Sequence, residues 1–520
     1  MIETSLIGST RGEQTSSTFQ AVNPKTGANL ETEYSHSSES DVQRSCELAQ
    51  IACHSMATLS AKKKAEFLRL VADRIDGAVD SIVVVMTAET GLPEARVRGE
   101  TGRTSGQLRM FADLVEEGSW VDARIDRANP ERQPIPKPDL RAMLRPIGPV
   151  TVFCASNFPL AFSVAGGDTA SAWAAGCPVI VKAHHAHPGT ALLVGQLIVQ
   201  AVKESGLPEG VFSLLFGEGR TVGQALVKNS FIKAVGFTGS RSGGRALFDI
   251  ASQRKDPIPV FAEMSSINPI FLLPELNKEK MEEIAQGLFV SATLAVGQFC
   301  TNPGIVFYPS NQEGACFRDA YVERMKTFAA SSMLHQGIRE SYDIGIQEMV
   351  NQEGVEELFR NNLSVGTGGC EAGACVLSTN LDCFLKNPKL SNEIFGPATL
   401  LVSYKDKDDL LAVANKLEGQ LTASLFGLEE NLSEYENLLG ILETRAGRLL
   451  FNQFPTGVEV CESIVHGGPY PATTDSRTTS VGTGAILRFA RPVCYQGFPD
   501  DFLPVELREG NLNEISRKEK

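Results

Sequence analysis

The 520-residue chain has no apolar run approaching the roughly 20 residues that a bilayer span requires; pieces such as residues 82–86 are far too short. Its 11 cysteines, scattered from Cys46 to Cys494, include no Cys-x-x-Cys pair, so neither a zinc ribbon nor a disulfide framework is suggested. Most of these thiols are expected to be buried small hydrophobes, and no metal site is expected. Positive charge is also short. With 48 Lys and Arg against 62 Asp and Glu, the formal charge is −14, and nucleic acid would be repelled on average. Glycine at 47 and proline at 26 are too few for a collagen-like or low-complexity chain. Glu3 stands where a secretory leader would carry positive charge, and no apolar core follows it, so the expected compartment is the cytoplasm.

What is present is material for several cores: 42% hydrophobic residues over this length predict two to four domains. The Asn-Pro and Thr-Gly steps of residues 22–27 mark a turn between extended pieces. Residues 41–110 turn helical. Ala65, Leu68, Val71, Ala72 and Ile75 recur at helical spacing, with Lys62, Lys63, Lys64 and Arg69 expected on a solvated face. Four prolines in residues 129–138 break the pattern and predict an extended arm. Beyond it, residues 149–154 and 178–181 are short strand-like runs separated by a small-residue helix, a βαβ unit that requires a parallel sheet. Helices at 190–202, 222–227 and 243–251 alternate with strands at 211–216 and 234–237, which predicts a doubly wound α/β domain. A second α/β region runs from 265 to 465, and residues 485–493 read as extended.

Several segments can carry chemistry. Gly217, Gly219 and Gly223 form a strand-to-helix turn spaced one residue longer than the dinucleotide fingerprint, and Gly236-Phe237-Thr238-Gly239-Ser240 opens the next helix. Lys182 ends a strand where open α/β sheets bind ligands, and could meet a ribose or phosphate oxygen or simply be a solvated strand end. His184, His185 and His187 converge poorly for a metal and read as a polar loop. Cys300, in Gly297-Gln298-Phe299-Cys300, is either inert core or a nucleophile, which would need a depressed thiol pKa, an acid–base neighbour and an oxyanion donor. Glu263, after an apolar run, is a candidate base whose carboxyl burial would push up, or a surface residue at a strand end. Asn157 is a candidate amide donor or a turn residue.

Asn157-Phe158-Pro159, Lys182, the Gly236–Ser240 loop, Glu263, Gly297-Gln298-Phe299-Cys300 and Glu393-Ile394-Phe395-Gly396-Pro397 occur in an order that resembles the aldehyde dehydrogenase superfamily over nearly the whole chain. Residues 154–190 and 467–500 are similar to its branch of bacterial NADP-dependent 2,5-dioxovalerate (α-ketoglutaric semialdehyde) dehydrogenases, which includes a fatty-aldehyde dehydrogenase. The resemblance implies a Rossmann-like cofactor domain (residues 1–130 and 150–264), an α/β catalytic domain (265–465) and a small β oligomerisation element (131–149 and 483–500). It implies Cys300 as nucleophile, Asn157 and the Cys300 N–H around the oxyanion, and Glu263 as the base that activates water. It assigns the dinucleotide to Lys182, Ser240, Glu393 and Phe395, to which the loop glycines Gly217, Gly223 and Gly239 and the nearby His185 and Arg220 are added as candidates, with Phe158 and Phe299 as candidates beside the substrate. With His185 where many NAD-specific members have an acid, and Arg220 able to stack on adenine, NADP is expected, NAD being the alternative. Arg477 is a candidate for a substrate carboxylate, or a loop brace.

The chain departs from the family where Ala155-Ser156 precede Asn157 and where Glu263-Met264-Ser265-Ser266-Ile267 lacks the usual two glycines, which bears on how freely Glu263 moves. A homodimer is expected, with a tetramer as the larger alternative. Competing readings are a non-catalytic nucleotide-binding homologue and a hydrolase, the latter weakened by the lack of any G-x-S-x-G.

Overall fold

The structure, a computed structural model, describes residues 2–361, 369–511 and 514–520. Its first large sheet runs in the order Val260–Glu263, Ala234–Thr238, Val150–Phe153, Val179–Lys182, Phe212–Leu215, Leu6–Ile7, Thr10–Arg11. The first five strands are parallel, and Leu6–Ile7 adds antiparallel to Phe212–Leu215. Val179–Lys182 and Phe212–Leu215 are buried at every position, which is why, apart from Lys182 and Ser213, they are apolar rather than alternating. The chain winds outward from Val150–Phe153 in one direction and returns to build on its other side at Ala234–Thr238. That reversal opens a crevice at the carboxyl ends of these two strands, and Asn157 and Ser240 both follow directly from it.

Helix Gly167–Ala175 is buried throughout and carries Trp173, which stacks edge-on against Phe67 and Phe212 with ring centroids 5.2 and 6.0 Å away. The Trp173 Nε1–H donates to the carbonyl of Val211, so its one polar atom is satisfied. The expectation of a wholly solvated lysine face at residues 62–64 fails at Lys64. Its stem is buried, its ammonium lies 5.6 Å from the Trp120 ring centre, and burial pushes its pKa down to about 8.

The second large sheet has the order Glu356–Arg360, Cys375–Asn380, Ala398–Tyr404, Ile305–Pro309, Ile270–Leu272, Gln420–Phe426, Ala446–Phe451, parallel except at its first strand. The third sheet joins Ala490–Gln496, Leu140–Pro146, Ala123–Asp126 and Arg517–Glu519. It therefore draws strands from outside residues 131–149 and 483–500. Residues 485–489 are not extended either: Thr483–Phe489 coils into a tight helix because Ala485, Ile486 and Phe489 are buried and Arg488 pairs with buried Asp168 at 2.7 Å. Of the 11 cysteines, five are buried, four half-buried and two exposed, so burial is less general than expected.

Candidate active site

Cys300 is held by a strained approach. After helix Lys278–Thr293 the chain takes three successive left-handed residues, Ala295 (φ 48°), Val296 (φ 58°) and Gly297 (φ 66°). For a β-branched valine this backbone is costly and persists only where the surroundings enforce it. A Cβ on Gly297 would lie 2.3 Å from the Gly396 carbonyl, so the glycine permits the close approach of Glu393-Ile394-Phe395-Gly396-Pro397. Beyond the turn, buried Asn268 donates to the carbonyls of Cys300 and Asn302, both at 2.9 Å, while its Oδ1 accepts from Ser266 and Thr422. The sulfur is thus positioned from both sides.

Glu263 ends its strand 3% exposed, and the His466 imidazole Nε2 lies 3.0 Å from its Oε1 and 3.3 Å from the Cys300 sulfur. Ser480 donates to Glu263 Oε2 at 2.7 Å. These contacts reverse two expectations. Burial pushes the Glu263 carboxyl up, but the imidazole and the hydroxyl outweigh it and hold the group below its ordinary range, in a pair with His466 rather than in apolar surroundings. The Cys300 thiol is not depressed. Burial and the negative fields of Glu263 and Glu393 push it well above the ordinary thiol value, with Arg103 opposing, so the resting group is S–H.

His466 is the residue that sequence reasoning missed. It lies in a Val-His-Gly-Gly segment 166 residues beyond Cys300, and the one available signal was its place directly before the branch-like run starting at Gly467.

Asn157 donates from its side-chain amide to the Gln298 carbonyl at 3.2 Å, which brings it to the backbone beside Cys300. Among the described residues the Cys300 N–H has no hydrogen-bond partner. Phe158 and Phe299 meet edge-on at 5.4 Å and, with Phe162, Ala155, Val458, Val460 and Ile464, form an apolar wall beside the sulfur. Arg477 does not join this wall. Its side chain is 85% exposed and forked onto Asp475, which is the loop-bracing arrangement.

The candidate dinucleotide residues gather at the carboxyl edge of the first sheet. Lys182 is buried along its stem and lacks an ionic or hydrogen-bond partner among the described residues; burial pushes it down to about 8. Next to it the supposed polar loop is a packed cluster: the His184 ring centre lies 4.4, 5.4 and 5.7 Å from those of His185, His187 and His335. His187 is fully buried, 2.9 Å from the Ala155 carbonyl. The facing nitrogens of His184, His185 and His335 could ligate a metal, but Lys182 among them disfavours a divalent cation and favours an anion. Glu218 is the acid whose field reaches Lys182.

Gly217 (φ 153°) and Gly223 shape the following turn. A Cβ at either would press on Val222 or Phe153. Arg220 is exposed on that turn. Ser240 caps helix Arg241–Ser252 by accepting from the Gly243 N–H, and Gly239 lies against the Phe237 ring. Glu393 and Phe395 border adjoining hollows; the larger, about 380 Å³, also touches Ser265 and Gln420. Burial pushes the Glu393 carboxyl up to about 7.

The sequence profile of the aldehyde dehydrogenase family matches residues 11–470. Alpha-ketoglutaric semialdehyde dehydrogenase 2 of Azospirillum brasilense is 48% identical over 98% of this chain and 97% of its own length. Alpha-ketoglutaric semialdehyde dehydrogenase of Acinetobacter baylyi is 44% identical over 93% and 91%. Among solved structures the fold is similar to betaine aldehyde dehydrogenase of Staphylococcus aureus, solved with NAD+ (TM-score 0.81, 18% identity, 95% of each chain). It is also similar to a lactaldehyde dehydrogenase (TM-score 0.82, 19% identity, 95% of this chain and 99% of that one).

Proposed function

Because the chain belongs to the aldehyde dehydrogenase family, and so is an oxidoreductase acting on aldehydes, we propose that it oxidises α-ketoglutaric semialdehyde to 2-oxoglutarate with NADP, using Cys300 as nucleophile. The observation that carries this reading is the Cys300 sulfur 3.3 Å from a histidine that is itself bonded to a buried carboxylate. Such a grouping can take the thiol proton at the moment of attack and balance the charge that results.

In this mechanism the thiol proton passes to the His466–Glu263 pair as sulfur bonds to the aldehyde carbon, giving a thiohemiacetal. The Asn157 amide and the free Cys300 N–H then face the developing oxyanion. Removing one such donor in other enzymes costs about 10²–10³ in kcat, and Asn157→Ala is expected to lose that much while still binding dinucleotide, measured by kcat and by dinucleotide titration. The dinucleotide, when bound, supplies the hydride acceptor that turns the thiohemiacetal into a thioester. Once the pair has released the thiol proton to solvent, Glu263, held low in pKa and so ionised through the neutral range, takes a proton from water as that water attacks the thioester. The tetrahedral adduct collapses to the acid, and the sulfur leaves as thiolate and regains that proton from the pair. Ser480 and His466 fix the carboxylate, so this site does not depend on the mobility that two glycines would give.

The residues suit a dinucleotide with an extra phosphate: Lys182, without an ionic or hydrogen-bond partner among the described residues, a histidine cluster and exposed Arg220 lie at the carboxyl edge of a parallel sheet. Arg220→Ala is expected to raise KM for NADP about tenfold and KM for NAD less than twofold, as loss of one charge-assisted contact would. A comparable rise for both would remove the phosphate role of Arg220.

The aromatic wall favours one second reading, a long-chain aldehyde substrate. Comparing kcat/KM for semialdehydes and straight-chain aldehydes with both dinucleotides decides between them.

We assign residues 1–130 and 150–264 mainly to cofactor binding and 265–465 to catalysis. The third sheet supports a homodimer, since Ala490–Gln496 is an open edge strand beside Phe498 and Phe502, the latter 76% exposed. Eleven unpaired cysteines suit a reducing compartment such as the cytoplasm.

A further inference from the structure

We propose that Arg103 is the residue that selects the substrate, binding the far carboxylate of an ω-oxo acid whose aldehyde end is at Cys300. This rests on the reading of Cys300 as nucleophile and goes beyond it by naming the group that recognises the other end of the molecule. Arg103 projects from helix Glu94–Glu117, and its guanidinium carbon lies 5.8 Å from the Phe158 ring centre and 5.9 Å from that of Phe162. The same wall reaches the nucleophile's neighbour, since the Phe162 and His466 ring centres are 6.2 Å apart and His466 Nε2 lies 3.3 Å from the Cys300 sulfur. Arg103 and Cys300 lie within each other's electrostatic reach.

Arg103 has no direct ion pair among the described residues; the carboxylate fields that reach it are the more distant ones of Glu100 and Glu459. It makes a single hydrogen bond, from an NH1 hydrogen to the Val458 carbonyl at 3.0 Å; its Nε is buried without a partner, and among the described residues no carboxylate lies within 4.0 Å. Its neighbours on the helix differ. Arg96 pairs with buried Glu100 at 2.8 Å, Arg98 with Asp80 and Glu94, and Arg109 with Asp73 and Asp76. A guanidinium stays charged at any relevant pH, and placing it half-buried among aromatic rings without a counter-ion is costly. The cost is offset when a substrate brings the anion, and the planar fork suits a carboxylate. Arg448, also without a carboxylate partner among the described residues, gives its hydrogens to the Pro455 and Gly457 carbonyls and so braces the loop that carries Val458. The exposed Arg477, held by Asp475, is not needed for this role.

The test compares α-ketoglutaric semialdehyde with pentanal, which has the same number of carbons and no charge, in the wild type and in Arg103→Met. The expected result is that the kcat/KM ratio of semialdehyde to pentanal falls about 30-fold or more, mostly through KM for the semialdehyde, with Arg103→Lys recovering part of it. Arg103→Gln, which keeps a donor for Val458, reads the same ratio if the Met variant does not fold. Inhibition by added 2-oxoglutarate is expected to weaken in parallel. A ratio unchanged within twofold, in an enzyme whose oxidation of both aldehydes requires Cys300, overturns the role of Arg103 alone. Oxidation that persists in Cys300→Ala overturns the underlying reading instead.

Discussion

Cys300→Ala is expected to lower kcat for aldehyde oxidation by about ten-thousand-fold or more, because the thiohemiacetal and thioester both need a bond to this sulfur and no substitute nucleophile is placed beside it. Bridging a strained left-handed turn on one side and Asn268 on the other, the residue occupies a position fixed by the backbone, so alanine should leave the pocket intact. Retained dinucleotide binding with lost turnover would confirm this. Turnover near the wild-type rate would leave the chain without the chemistry assigned to it. A non-catalytic homologue predicts no turnover even in the wild type, which the same assay reads.

The second large effect is expected at His466. With the thiol pushed well above its ordinary pKa, almost none is thiolate at neutral pH, and attack requires a base at the sulfur. His466→Ala removes the imidazole half of the His466–Glu263 pair that takes the thiol proton and is expected to lower kcat/KM about 10²–10⁴-fold, the range for general-base catalysis. The sign of the pH dependence follows from the same shift. Because the thiol pKa is raised, the variant should gain activity steadily as pH rises, and more steeply than the wild type. A variant with an unchanged pH profile and only modest loss would make His466 a prop for Glu263. The thiol-proton step would then have to be assigned to the carboxylate.

Much of this was legible in the chain. Residues 178–181 announce a buried parallel strand by being apolar without alternation, and the crevice then follows from topology. Cys300 was one of 11 candidates, and only the order of surrounding motifs distinguished it. What was not legible depends on contacts between distant segments. The apolar run before Glu263 left burial and a surface strand end both open; the group is buried, and its charge balance is set by His466 and Ser480, which lie 203 and 217 residues away. Lys64 follows the same logic: its helix register is visible, but the approach of the Trp120 ring to its ammonium is not. Arg477 is a cation within the branch-like motif, whereas Arg103 sits in an ordinary helical stretch, and its lack of a carboxylate partner among the described residues shows only in the fold.

The most direct measurement follows the sulfur itself. Glu263→Gln, mixed rapidly with α-ketoglutaric semialdehyde and NADP, should release one equivalent of reduced dinucleotide per site in a burst and then turn over slowly. Quenched samples should carry the acyl mass on the peptide containing Cys300. Reduced dinucleotide formed linearly with no acyl mass there, or an acyl mass on another cysteine, would contradict the account.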